Sequence, residues 1–116
     1  MATVTREILT ESTNGEPIQV SATATPGDLL HVTIGSVNEM DEVWLWAAND
    51  AGGAVDLTLE LGGTGSGRES RASITNGNGP NLILQGATYS GSVNVRAFAT
   101  SSGINIWGHV NRINQN

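Results

Sequence analysis

The run Asp41-Glu42-Val43-Trp44-Leu45-Trp46-Ala47-Ala48-Asn49 constrains the fold more than any other stretch of the chain. Read as a β-strand, where successive side chains point to opposite sides, it places Val43, Leu45 and Ala47 on one face and Trp44, Trp46 and Ala48 on the other. Neither face is polar. With 116 residues the chain is one domain with one modest core, which accounts for one face only. The other must meet a loop, another sheet, a partner subunit or a ligand.

The surrounding sequence is strand-like throughout. Its apolar residues are mostly Val, Ile and Leu, set among fifteen Gly and many Thr, Ser and Asn, a mixture that favours strands and turns over helices. Thr3 to Thr10 and Pro17 to Thr25 flank a turn in which Asn14-Gly15 suits a tight hairpin. After Pro26-Gly27-Asp28, Leu30, Val32 and Ile34 alternate with His31, Thr33 and Gly35, giving one buried and one wetter face. The cleanest alternation puts Val55, Leu57, Leu59 and Leu61 toward a core and Asp56, Thr58 and Glu60 toward water. A Gly62–Gly67 loop, a polar strand from Glu69 to Thr75 and a turn-rich Asn76–Asn81 stretch follow. Leu82-Ile83-Leu84 then reads as a short strand and Gly86 to Gly91 as a connection. Val93 to Ala99 and Ile104 to Ile113 read as a closing hairpin around Thr100–Gly103. Eight or nine strands and no helix predict an antiparallel two-sheet β-sandwich of jelly-roll type, with a small closed β-barrel as the alternative.

Composition excludes several chemistries. There is no Cys, hence no disulfide framework or thiolate metal site. No run approaches the ~20 apolar residues of a spanning helix, and Met1 to Thr10 has no apolar signal core, so the expectation is no membrane and synthesis in the cytoplasm. Up to Leu61 there are ten acids against Arg6; beyond it, Glu69 stands against Arg68, Arg71, Arg96 and Arg112. An acidic chain with scattered Arg and no Lys argues against nucleic-acid binding. The uneven charge reads as ordinary surface charge or as complementary patches between subunits. Gly62–Gly67 lacks the Lys and the following helix of a phosphate loop.

Candidate chemical groups are few. His31 and His109 lie among apolar strand residues and read as packing residues; a triad would need an acid and a Ser nucleophile around one of them, and a two-His metal site would need their strands adjacent. Glu39, Asp41 and Glu42, beside Asn38, read as a solvated acidic turn rather than a Ca²⁺ site. No paired-carboxylate cleft is evident. We therefore expect no enzyme, no cofactor and no metal. Trp44, Trp46 and Trp107 remain, to fill a core, anchor an interface or stack on a sugar.

Asp41–Asn49, Val95-Arg96-Ala97-Phe98-Ala99 and Ile104–Ile113 resemble small virion proteins of tailed bacteriophages, specifically capsid decoration or cement proteins, over roughly Asp41 to Ile113. The resemblance implies a homotrimer of β-sandwich subunits on the capsid outer surface, near threefold positions, bound to the major capsid protein without catalysis or cofactor. It implies a virion location and carries over no active residues. Candidate interface residues, from pattern alone, are Trp44, Trp46, Phe98, Trp107, Arg96 and Arg112. The competing expectation is a carbohydrate-binding or receptor-binding module of a phage tail or fibre, with a small hydrolase third.

Overall fold

The computed structural model describes residues 2–65, 67–77 and 79–115. Ser66 and Asn78, within two of the expected loops, lie outside the described residues. Among those described there are nine strands and no helix: β1 Thr3–Ile8, β2 Ile18–Gln19, β3 Asp28–Val32, β4 Glu39–Asn49, β5 Val55–Leu61, β6 Glu69–Ile74, β7 Asn81–Tyr89, β8 Asn94–Ala99 and β9 Ile104–Asn114. They form two antiparallel sheets. Sheet A has the order β1-β9-β4-β7, with β2 also on β9, and sheet B has the order β3-β8-β5-β6. Every connection except β1–β2 and β5–β6 passes from one sheet to the other.

One apolar cluster joins the sheets in a sandwich-like arrangement. Val43, Leu45 and Ala47 of β4 have no exposed surface, and they share one buried cluster with Leu57 and Leu59 of β5 and Val95 of β8. Burying a Leu or Val side chain contributes roughly 1.5–3 kcal/mol, so this seam holds the sheets face to face. The sheets do not close on each other: β7 ends sheet A, and β3 and β6 end sheet B. The barrel alternative is therefore set aside.

Several local expectations are corrected. Asn14 and Gly15 do take positive φ (56° and 82°), but β1 and β2 do not pair with each other. Both lie along β9, and β2 is only two residues long. In β3 a register shift between Leu29 and His31 breaks the alternation, so that Leu30 and His31 are both fully buried. β7 runs through the stretch expected as a connection, because it curves along β4 with register shifts rather than ending. The last two strands are not a hairpin. β8 lies in sheet B between β3 and β5, while β9 lies in sheet A between β1 and β4; the short Thr100–Gly103 turn carries the chain across the sandwich instead of back along one sheet.

Two polar corrections matter more. Thr58 and Glu60, expected in water, are buried, Glu60 completely. Glu39, Asp41 and Glu42 are not a solvated turn but the start of β4, and Asp41 is fully buried.

Candidate functional site

Two buried carboxylates and one aromatic sheet face hold the notable side-chain chemistry of the fold. Asp41 turns into the space between the sheets. Its Oδ1 accepts Arg112 Nε at 2.8 Å, and its Oδ2 accepts Arg112 Nη2 at 3.2 Å and the Ile34 N–H at 3.1 Å. His31 Nε2 lies 2.8 Å from the same Oδ2. Because the Thr10 N–H donates to His31 Nδ1 at 3.1 Å, Nδ1 carries no proton and Nε2–H donates to Asp41. Burial acts to raise the Asp41 pKa, but the bonds from Arg112 and His31, the guanidinium charge and the Ile34 amide outweigh it and hold it below the usual range. Both His31 nitrogens are occupied, leaving none for a nucleophile. The network ties β3 in one sheet to β4 and β9 in the other.

Glu60 is the second. It accepts the Gly27 N–H at 2.6 Å and the Thr25 hydroxyl, while Arg96, its cross-strand partner, donates Nη1 to Gly27 O at 2.9 Å. These groups pin the 25–28 loop against sheet B. A Cβ on Gly27 would collide with the Ala97 carbonyl, so only Gly lets the loop lie this close.

The aromatic face is the outer side of sheet A, and register alone builds it. Residues directly opposite across antiparallel strands share a face, which sets out parallel rows across β1, β9 and β4: Val4–Ile113–Met40, Arg6–Asn111–Glu42, Ile8–His109–Trp44, Trp107–Trp46 and Asn105–Ala48. Trp44 and Trp46 lie with ring centroids 6.3 Å apart and planes 21° from parallel, and His109 is 5.7 Å from Trp46. Trp44 Nε1 donates to Glu42 Oε1 at 2.7 Å, Asn111 Nδ2 donates to the same oxygen at 2.9 Å, and Arg6 Nε reaches Asn111 Oδ1 at 3.4 Å. The bonds from Asn111 and then Trp44 hold the Glu42 pKa below its usual value. Burial, then the charge of Arg6, push His109 down, with Glu42 opposing, so His109 is neutral at pH 7.

Gly86 completes the setting. It sits in β7 at φ +71°, and a Cβ there would stand 3.0 Å from the Trp44 ring, so the indole occupies the space a side chain would fill. Val4 and Ile8 on this face are 63% and 52% exposed, and Leu82 on β7 is 44% exposed. Trp44, Trp46 and Trp107 are each half-buried.

Of the six candidate interface residues, the structure brings together Trp44, Trp46 and Trp107. Phe98 and Arg96 lie on the other sheet, opposite Thr58 and Glu60, and Arg112 turns inward to Asp41. His31 is interior and His109 is on the outer face, so the two do not converge, and the described residues contain no group of three or more His, Asp or Glu placed to hold a metal ion. Glu42, read from sequence as part of a solvated acidic turn, belongs to this face instead, and Asn111 and Gly86 had no site role in the sequence reading. For Glu42 the signal was present, since it shares parity with Trp44 and Trp46 along β4. Comparison with known protein families finds no family model that matches the chain, and no curated protein matches it either.

Proposed function

We propose that this chain is a structural protein of a tailed-phage virion, a capsid decoration protein that assembles as a homotrimer and bridges the major capsid protein on the shell's outer surface. The observation that carries this reading is the open β1 edge of sheet A. All six residues of β1 are exposed, and among the described residues the strand pairs with β9 alone, with Val4 and Ile8 facing outward. A strand edge presents unpaired backbone groups, and an apolar one is a template for another chain. We assign the subunit contact to this flank, with Ile113 and Trp107 of β9 beside it.

The likeness of Asp41 to Ile113 to decoration proteins supplies the capsid as partner. The strand order supports a jelly roll, since β1-β9-β4-β7 and β3-β8-β5-β6 interleave through connections that cross between sheets nearly every time. Function would then be mechanical: binding only the expanded shell stabilises that state by linkage, and many copies act together.

The test is light scattering at micromolar concentration with electron microscopy of purified virions. The expected result is a trimer seated on the shell, converted to a folded monomer by Ile8→Glu. A monomer for the unaltered chain, together with its absence from shells, would overturn the proposal. The Trp44–Trp46 pair favours a second reading, a carbohydrate- or receptor-binding module of a tail or fibre, for which microscopy would place the chain on the tail.

A further inference from the structure

We propose that the Trp44–Trp46 strip on the β4/β7 side of sheet A binds a neutral glycan. The inference goes beyond the capsid reading and uses a different part of the sheet from the β1 edge. Sugars offer two kinds of surface, a patch of C–H groups that packs on aromatic rings and a rim of hydroxyls that needs paired donors and acceptors. The strip is laid out in that order. Its rows are spaced about 7 Å along the strands and its strands about 5 Å apart, so the ground from His109 across Trp44 and Trp46 to Gly86 suits one or two sugar rings.

The aromatic ground is held in place before any ligand arrives. Trp44 is fixed at its nitrogen by Glu42, lies over Gly86 where a side chain would stand, and has Trp46 nearly parallel beside it. A hydrogen-bonding row borders it on one side. Glu42 takes both of its bonds on Oε1, so among the described residues Oε2 accepts none and is available to a hydroxyl, and Asn111 continues the row. On the other side Asn105, opposite Ala48 on the same face, donates Nδ2 to Asp50 at 3.3 Å, which adds an amide and a carboxylate to that border.

Charge selects within this chemistry. Glu42, on the border of the strip, would repel a phosphorylated or sulfated sugar, and the lowered pKa of His109 favours its uncharged form. A cationic ligand would find Glu42 already engaged by two donors and offset by Arg6, and Asp50 at the far border already bonded to Asn105. An uncharged ligand rich in hydroxyls fits both constraints.

The experiment is titration of the intact protein with maltohexaose, cellohexaose and chitohexaose, followed by Trp fluorescence and calorimetry, alongside a printed array of neutral glycans. At least one neutral glycan should bind and quench fluorescence. Trp44→Ala and Trp46→Ala should each weaken that binding about fivefold to tenfold, the range for losing one aromatic contact. Glu42→Gln, a near-isosteric change that keeps an acceptor for Trp44 and Asn111, should weaken it about threefold and keeps the test open if a Trp variant fails to fold. Ile8→Glu should leave binding unchanged even where it breaks the trimer, which separates this proposal from the capsid reading. Failure of every neutral glycan to bind, or binding indifferent to Trp44, Trp46 and Glu42, would sink it. So would fluorescence that responds to dilution rather than to sugar, which would make a second copy the occupant.

Discussion

Glu60 receives the Gly27 N–H and the Thr25 hydroxyl in a site with no exposed surface. Truncation would leave a buried amide without an acceptor, and bonds to charged groups contribute roughly 1.5–3 kcal/mol each. Glu60→Ala should therefore destabilise the protein by about 3 kcal/mol in urea unfolding, and Glu60→Gln, which keeps one acceptor, by about half as much. A variant of unchanged stability would mean that the 25–28 loop does not depend on this carboxylate. Asp56-Leu57-Thr58-Leu59-Glu60 alternates as a half-wet strand would, yet Glu60 is interior because the loop ending at Gly27 folds over it. The partner lies 33 residues away, beyond the reach of any periodic pattern.

At the scale of single strands, β4 and β7 contrast. The β4 core face was legible because Val43, Leu45 and Ala47 alternate without interruption, and all three are buried. β7 was not, since Gly86 reads as a loop residue when its reason lies across the sheet in the Trp44 ring. Two register shifts against β4 absorb the irregularity, as bulges do. Gly86→Ala should cost about 1–3 kcal/mol through crowding and its positive φ, and should shift Trp44 emission; a silent substitution would show that the indole has room to spare. Pairing of the last two strands was illegible for a different reason. A four-residue turn serves a hairpin and a crossing between sheets equally well, and only the partners of β8 and β9 decide between them.

For the molecule as a whole, acid should be the condition that loosens it. Burial tends to raise the pKa values of Asp41 and Asp28, but Arg112 and His31 at Asp41, and the Ala22 and Ser21 amides at Asp28, hold both below the ordinary value. Folded-state values below unfolded ones contribute stability that is complete above about pH 5 and disappears as pH falls through the folded values. The urea midpoint should thus decline below about pH 5. Asp41→Asn should lower the unfolding free energy by about 3 kcal/mol near neutrality, as expected for breaking a buried pair, and flatten the acid slope. An equal slope in the variant would remove Asp41 from the account. The Asp41–Arg112 pair also joins the acidic first half of the sequence to its basic second half, so the charge asymmetry along the chain is partly cancelled in space.

The position of β9 governs how the protein can be made. It pairs with β1, β2 and β4, and its contact with the first of these spans 105 residues, from Arg6 to Asn111. β1 and β2 are made first and must wait, without a sheet to join, until β9 emerges as the last of the described strands. Such distant pairing folds slowly. The strand with the most exposed surface in the finished protein is thus also the one left longest without its partner during synthesis.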